Sequence, residues 1–268
     1  MGNFWVLFLV FTVYSFLGWL CESIFCSIPA GKFINRGFLN GPFCPVYGVG
    51  GILVVSVLTP FLHNLITLYL AGVIITSLLE YITGFALEKL FHTKYWDYTN
   101  HKFNLQGRIC LENSLLFGVM CVVGMLCIHP TLMRLLGMIP GLMLPIVSGT
   151  FILYFTCDTV ITVRTILQLN GRLDELQQIL DEIKQKATAA KMETIENIQA
   201  VLENLLDEDA KTHLKTLYEK KDKIEAGSRV MQRRLLRAFP TMTSIQSNES
   251  LQRMKQVMAD RAKRIKHN

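Results

Sequence analysis

Charged residues are scarce in the first two-thirds of this 268-residue chain. Residues 1–169 contain 8 Lys or Arg and 6 Asp or Glu, whereas residues 170–268 contain 19 and 15. A water-soluble domain carries far more charge on its surface, so the first part is not an ordinary soluble domain. Hydrophobic residues make up 51% of the chain and the mean hydropathy is +0.34. The composition therefore predicts a transmembrane domain over residues 1–169 and a charged cytoplasmic tail over residues 170–268.

Several motifs are also absent, and each absence excludes a class of chemistry. There is no GxxxxGK[ST] phosphate-binding loop, which excludes an ATPase site in this sequence. The seven cysteines all lie within residues 1–169 and form no CxxC pair, so neither a disulfide framework nor a metal site is expected. No nucleophile and base have a recognisable spacing, and we assign no catalytic residue and no cofactor. The net charge of +6 comes mostly from the tail and fits an anionic bilayer surface better than nucleic acid.

Five apolar stretches are predicted to be membrane-spanning helices, each of which needs about 20 mostly apolar residues. They are residues 3–28, 45–62, 65–91, 108–128 and 142–169, with a turn over residues 129–141. The first has no basic n-region before it and is too long for a cleaved signal, so we expect it to stay as a membrane helix. Lys and Arg are concentrated in every second connection between the predicted spans, and the remaining connections carry only Arg134. This bias predicts an outside N-terminus and a cytoplasmic C-terminus.

The tail is predicted to be helical, because apolar residues recur at helical spacing in three series. These are Leu173, Leu176, Leu180, Ile183 and Ala187, then Ile195, Ile198, Leu202 and Leu205, then Leu214, Leu217, Tyr218 and Ile224. They favour an antiparallel helical hairpin or a short coiled coil. Two basic stretches follow, at residues 229–239 and 251–266, and each could rest on anionic lipid or face solvent. Leucines and Phe239 interleave with arginines in the first, which favours lipid there.

Residues 36–48 cannot form a regular helix, although they lie between two apolar stretches. Pro42 and Pro45 each remove a backbone donor, and Gly37, Gly41 and Gly48 permit unusual backbone geometry. The segment also contains Asn40 and Tyr47 and is too apolar for an ordinary exposed loop. Apolar non-helical backbone at membrane depth occurs only where protein buries it or where it lines a cavity. We interpret it as a re-entrant loop that opens a broken helix; the alternative is a tight interfacial turn.

Ionisable residues within spans are costly and commonly functional. Glu80 and Asp158 lie deep in the third and fifth predicted spans, and Glu112 lies one turn into the fourth, four residues after Arg108, with which it can pair. We predict that Glu80, Asp158 and Glu112 line a polar cavity or pathway. The alternative is that such groups pair with one another or with nearby arginines and hold the helices together.

A second polar cluster is predicted where two loops on the same side of the membrane approach each other. It would contain Arg36, Asp97, Asn104 and Arg108 at the cytoplasmic mouth. The cluster could be a gate, a lipid head-group site or an ionic clasp. The neighbouring Tyr95, Trp96 and Tyr98 are adequately explained as interfacial anchors.

Four motifs together resemble a family of bacterial membrane proteins described as ABC-transporter permeases of type IV. They are the segment at residues 37–48, Glu80-Tyr81 with residues 88–91, residues 95–98, and residues 103–110. The resemblance covers about residues 5–165. It implies an all-α, polytopic protein of the bacterial cell membrane with a transport role, and it assigns no substrate and no catalytic residue.

The resemblance and the missing phosphate loop together predict a permease-like component that works with a separate ATPase subunit. Five spans are few for a pathway, so we expect a homo-oligomer embedded in the lipid bilayer, with no nucleic-acid partner. Two alternatives remain. One is a membrane enzyme that acts on lipid-linked substrates, with Arg36 and Arg108 binding phosphate and Glu80 or Asp97 as base. The other is a scaffold or sensor whose tail recruits cytoplasmic partners.

Overall fold

The computed structural model describes residues 3–189, 208–226 and 230–267, and most of these are helical. The helices are α1 (Phe4–Ala30), α2 (Pro45–Leu58), α3 (Leu65–Phe91), α4 (Leu111–Val123), α5 (His129–Gly137), α6 (Met143–Ala189), α7 (Glu208–Ala226), α8 (Val230–Ala238) and α9 (Asn248–His267). A 3-10 turn follows α2 at Thr59–Phe61, and a π-helical segment, Gly124–Ile128, joins α4 to α5. The strands have two residues each: β1 (Thr93–Lys94), β2 (Asn104–Leu105), β3 (Ile109–Cys110) and β4 (Thr243–Ser244). β2 and β3 pair antiparallel.

The chain divides into two compact units. The first comprises Met1–Arg164 and Arg237–Thr243, and the second comprises Thr165–Leu236 and Ser244–Asn268. The long helix α6 contributes residues to both.

The all-α, polytopic class is confirmed, with four helices long and apolar enough to cross a membrane. They are Phe4–Ile28, Leu65–Phe91, Leu111–Gly137 and Met143–Gln185. The second predicted span is shorter: α2 has 14 residues, about 21 Å, whereas the hydrocarbon core is about 30 Å thick. The structure therefore has four long apolar helices and one short one where five full spans were predicted.

The ends of the third span match the prediction, and those around the fourth do not. The Asn64 side chain accepts hydrogen bonds from the backbone N–H groups of Ile66 and Thr67, which fixes the start of α3 at Leu65. The predicted turn over residues 129–141 is wrong for its first part, because α5 continues the helix to Gly137. Pro130 lies in the first turn of α5, where a missing backbone N–H is tolerated.

Close packing in the first unit joins helices that are distant in sequence. Leu9 and Val10 of α1 form one buried cluster with Leu132, Leu136 and Leu144. A second cluster joins α2, α3 and α4 with the π-helical segment; its residues are Val54, Val55, Leu58, Leu68, Cys121 and Met125. These clusters fix the positions of α1 and α2, between which the non-helical segment lies.

In the second unit, the apolar stripe of α6 is buried as predicted. Leu173, Leu176, Leu180 and Ile183 are all at most 4% exposed. Ile179 and Ile183 pack on Leu217, with Tyr218 and Ile224 beside them, so α6 and α7 bury apolar faces against each other. A coiled coil stays a prediction. The predicted series at residues 195–205, Arg229, and the side chains of Ala187 and Leu214 lie outside what the structure describes.

Protein covers the two leucines of the first basic stretch, together with Leu251 and Met254 of the second. Leu235 and Leu236 in α8 are 2% and 4% exposed, and Leu251 and Met254 in α9 are 0% and 1% exposed. The interpretation that the first stretch lays its leucines on lipid is therefore wrong. An amphipathic pattern indicates an apolar face, but it does not distinguish lipid from protein as the surface that covers it.

Candidate functional site

The non-helical segment between α1 and α2 returns the chain from the end of α1 to its middle. Gly31 ends α1 in the left-handed conformation, and α2 begins only at Pro45. The backbone N–H of Cys44 donates to the carbonyl oxygen of Ser15 at 2.9 Å. Ser15 lies about 22 Å along α1 from Ala30 at about 1.5 Å per residue. This geometry favours the re-entrant interpretation over a tight interfacial turn.

Protein covers the re-entrant segment, as non-helical backbone at this depth requires. Leu39, Phe43 and Cys44 are 1%, 8% and 5% exposed. Leu39 and Phe43 cluster with Phe155 of α6, and the ring centroids of Phe43 and Phe155 are 4.8 Å apart. α6 therefore supplies an apolar surface for the segment, and the next residue along this helix face is charged.

Asp158 binds the backbone of the re-entrant segment directly. Its Oδ1 accepts hydrogen bonds from the Asn40 backbone N–H at 3.0 Å and the Asn40 side-chain amide at 3.1 Å. Its Oδ2 accepts from the Gly41 backbone N–H at 2.8 Å and from the Tyr154 hydroxyl at 3.4 Å. Thr162 adds a hydroxyl donor at 3.3 Å from Oδ1. Each contact is from a neutral donor, and Asp158 is 7% exposed, so this carboxyl group holds the segment against α6.

Two glycines of the segment are required by close approach. A Cβ atom added at Gly41 would lie 1.7 Å from the Tyr154 hydroxyl oxygen, and one at Gly48 would lie 2.2 Å from the Ser15 hydroxyl oxygen. Pro45 is at the first turn of α2, where its fixed φ suits a helix start. Gly37 donates its backbone N–H to the Asn35 side chain at 3.0 Å, and Pro42 follows Gly41 directly. Of the predicted loop residues, Gly37, Asn40, Gly41 and Pro42 lie in the non-helical segment, whereas Pro45, Tyr47 and Gly48 lie in the first turn of α2.

Glu22 joins the two ends of the segment. The Tyr47 hydroxyl of α2 donates to Glu22 Oε1 at 2.5 Å, and Arg36 Nε lies 3.6 Å from Glu22 Oε2. Residues from α1, the segment and α2 thus meet at one carboxylate. Glu22 was not among the predicted site residues. Its position late in an apolar span, on the side of the membrane where Arg36 was predicted, was the available signal.

Glu80 has one hydrogen-bonded oxygen and one without a partner. The Tyr98 hydroxyl donates to Glu80 Oε1 at 3.3 Å. Burial, and then the nearby charges of Glu80 and Glu22, raise the pKa of Tyr98, so its hydroxyl remains a donor. Glu80 Oε2 is buried and has no hydrogen-bond partner among the described residues. Glu80 is therefore the intramembrane acid that the described fold leaves incompletely satisfied.

Arg108 pairs with Glu88, and not with Glu112, with which its spacing in the sequence would allow a pair. Arg108 Nη2 lies 2.7 Å from Glu88 Oε2, and the two side chains are only 12% and 18% exposed. The guanidinium also lies over the rings of Tyr81 and Phe85, at 5.3 and 5.4 Å from their centroids. Glu112 is 82% exposed and lies 3.7 Å from His101. Glu112 thus lies on the surface, at the start of α4.

Asp97 and Asn104 stabilise their own loop. Asp97 Oδ1 accepts from the backbone N–H of Thr99 at 3.0 Å and from its hydroxyl. Asn104 donates to the carbonyl oxygens of Thr99 and His101, and accepts from the Gly107 backbone N–H at 3.1 Å. Among the described residues, these contacts do not bring Asp97 and Asn104 to either arginine of the predicted mouth cluster. Arg36 lies with Glu22, and Arg108 lies with Glu88.

A comparison with protein families gives a match to the region of the chain that contains the acidic and basic side chains described above. Residues 9–163 match the family described as "Putative ABC-transporter type IV". The chain belongs to this family. The matched residues run from residue 9, within α1, through α5 to the part of α6 that carries Asp158. The chain is therefore a transporter-related membrane protein. Comparisons with curated proteins and with solved structures gave no match.

Proposed function

We propose that the chain is the membrane-embedded, permease-like component of a transporter that works with a separate ATPase subunit. The observation that carries the proposal is a set of three carboxyl groups within the region matched by the type IV family: Asp158, which is buried, and Glu22 and Glu80, which are partly buried. Such groups are expensive in a bilayer and commonly mark the path of a polar solute. The sequence itself has no phosphate-binding loop for ATP.

The three carboxyl groups have different proposed roles. Both oxygens of Asp158 bind the re-entrant segment, and both oxygens of Glu22 bind Arg36 or Tyr47. Glu80 has an oxygen without a partner in the described part of the chain. We therefore assign Glu80 to the polar pathway and Asp158 to positioning the segment beside it. Glu112, which is exposed at the start of α4, would lie at the entrance and not in the cavity.

The loop at residues 92–107 is the proposed docking surface for the ATPase subunit. It carries Lys102 and the 81% exposed Phe103, and it is held in shape by Asp97 and Asn104. An exposed aromatic side chain on an ordered loop suits a protein interface, and Lys102 adds a positive charge that an acidic partner surface would complement. In this proposal the loop and the tail face the cytoplasm, the N-terminus lies outside, and two or more copies assemble to complete the pathway.

Purification from the native membrane tests the proposal. The tagged full-length protein, in mild detergent, should bring down a nucleotide-binding subunit in a stoichiometric amount, identified by mass spectrometry. Lys102→Glu should reduce that recovery about tenfold, because a reversed charge at a protein interface is strongly unfavourable. Arg134→Glu is the matched control, since Arg134 is an exposed cation in α5 and not in this loop. A homo-oligomer without any ATPase would overturn the proposal and favour the enzyme or the scaffold.

Glu80→Gln should show whether Glu80 contributes to activity without contributing to stability. The amide oxygen of glutamine can still accept from Tyr98, and the substitution removes a carboxyl oxygen that has no hydrogen-bond partner among the described residues, so we expect the thermal unfolding midpoint in detergent to stay the same or rise. ATP hydrolysis by the copurified complex in liposomes should fall about tenfold if Glu80 lines the pathway. Glu112→Gln, at an exposed carboxylate, should change neither quantity. A large loss of stability in Glu80→Gln would instead make Glu80 a structural residue.

A further inference from the structure

A short segment near the C-terminus belongs to the first, membrane unit. Arg237–Thr243 is separated in sequence from the rest of that unit by more than seventy residues, on the order of the length of a small domain. Ala238, Phe239 and Met242 are 1%, 6% and 3% exposed. The Met242 backbone N–H donates to the Phe239 carbonyl oxygen at 3.1 Å, which folds the segment into a turn around Pro240. We call residues 237–243 the C-terminal clip.

Phe239 contacts an aromatic surface of the membrane unit. Its ring packs edge-on against Tyr95, with centroids 5.2 Å apart. Tyr95 is 3% exposed, and its ring in turn contacts Phe38 of the re-entrant segment at 5.5 Å. Edge-to-face aromatic pairs of this kind add stability beyond the area that they bury. Phe239 is therefore connected to the re-entrant segment through one aromatic residue.

Arg36 contacts the C-terminal clip in two ways. Its guanidinium lies over the Phe239 ring, 5.1 Å from the centroid, and donates a hydrogen bond to the Ala238 carbonyl oxygen. Ala238 is the last residue of α8, and a cation at a helix C-terminus stabilises the unpaired carbonyl groups there. The same guanidinium pairs with Glu22, and the Arg36 backbone N–H donates to the Ser23 hydroxyl at 3.3 Å. Arg36 thus joins the clip, α1 and the start of the re-entrant segment.

We propose that the C-terminal clip is an intramolecular ligand of the membrane unit, and that its release loosens the start of the re-entrant segment. The ring of Phe239 and the carbonyl of Ala238 fill the site formed by Arg36 and Tyr95. When the clip leaves, Arg36 loses two partners, and Tyr95 loses the ring that covers it. The segment is then held at Asn40 and Gly41 by Asp158, while residues 36–38 gain freedom.

The clip is covalently continuous with the second unit at both ends, so binding of a partner to that unit can affect the clip. Its two ends continue into Thr165–Leu236 and Ser244–Asn268. A partner that binds either stretch can therefore act on the adjoining end of the clip. This regulatory role is independent of the proposed transport function, because it concerns only whether the clip is bound.

Hydrogen exchange of the full-length protein in detergent tests the proposal. Phe239→Ala should speed exchange of the amides at residues 36–38 about tenfold, since it removes a cation–π contact and an aromatic pair. Amides in α4, at Leu111–Val123, should exchange at the wild-type rate. Arg237→Ala is the matched control, because Arg237 lies in the clip but is exposed, and it should leave residues 36–38 unchanged.

A milder pair of variants covers the case in which Phe239→Ala does not fold. Phe239→Leu keeps apolar volume without a ring face, and Arg36→Lys keeps the charge without the planar guanidinium. Each alone should speed exchange at residues 36–38, and the effect of the two together should be less than the sum, because both weaken the Arg36–Phe239 contact. Unchanged exchange in Phe239→Leu, additive effects in the double variant, or equal acceleration in Arg237→Ala would overturn the proposal.

Discussion

Replacing Asp158 with alanine is expected to lower the free energy of unfolding by about 3 kcal/mol, because two partly buried backbone N–H groups and a side-chain amide lose this acceptor. The N–H groups belong to Asn40 and Gly41, at 3.0 and 2.8 Å from the carboxylate oxygens. They lie in non-helical backbone and have no helical carbonyl as an alternative partner. Asp158→Asn should lose about 2 kcal/mol, since its amide nitrogen would face a donor.

Thermal unfolding in detergent, followed by tryptophan fluorescence, checks this prediction. Glu112→Gln is the matched acidic control, because Glu112 is 82% exposed and should change the unfolding free energy by less than about 0.5 kcal/mol. Hydrogen exchange should locate the damage at residues 36–44. If Asp158→Ala unfolds like the wild type, the carboxylate does not hold the segment, and a role in the pathway becomes the better explanation.

The structural role expected for Asp158 affects how the function can be tested. Loss of activity in an Asp158 variant would follow from a loosened re-entrant segment under any of the three functions. Glu80 has a hydrogen bond to Tyr98 on one oxygen only, so its substitution leaves few native contacts broken. A functional effect of Glu80→Gln is therefore more informative than one of Asp158→Asn.

The re-entrant segment could be predicted from the sequence because its signals are local. Pro42, Gly37 and Gly41 disfavour a helix before Pro45, Pro45 itself suits the start of α2, and the apolar residues between them require burial. The signal for the start of α3 is equally local, since the Asn64 side chain can cap the helix that follows it. In each case the residues that decide the structure are close together in the chain.

The partner of Arg108 could not be predicted in this way. Pairing with Glu112 four residues later assumes that both residues lie on one helix. α4 begins only at Leu111, and Arg108 precedes the strand β3. The position of Arg108 depends on the loop at residues 92–107, in which Phe103 and Gln106 adopt positive φ angles of 53°. Neither residue type favours that conformation, so tertiary contacts decide it.

The contacts of the tail residues could not be predicted from the sequence either. The pattern of α8 correctly indicated that Leu235 and Leu236 share an apolar face. Whether lipid or protein covers that face depends on residues far away in the chain. The same holds for Phe239, whose partners Arg36 and Tyr95 lie about 200 and 140 residues earlier, well beyond any local pattern.

Arg108→Ala is expected to lower the free energy of unfolding by about 3 kcal/mol, because it leaves the largely buried carboxylate of Glu88 without its cation. It also removes the guanidinium from the rings of Tyr81 and Phe85, where cation–π contacts contribute about 0.5–1 kcal/mol each. Arg108→Lys should recover only part of the loss, since an ammonium group cannot form the two hydrogen bonds to Glu88 that Nε and Nη2 donate.

A double-mutant cycle decides whether the pair or the individual charge matters. Arg108→Met with Glu88→Leu should be closer to wild type in thermal unfolding than Arg108→Ala alone, because no charge is then buried without a partner. Arg134→Ala is the control, since Arg134 is exposed. If the double variant is as unstable as the sum of the single ones, the ion pair is not what joins α3 to the loop. The contacts of Arg108 with the two aromatic rings, together with the bond from the Trp96 ring to the Arg108 carbonyl oxygen at 2.9 Å, would then be the interactions that hold the loop in place.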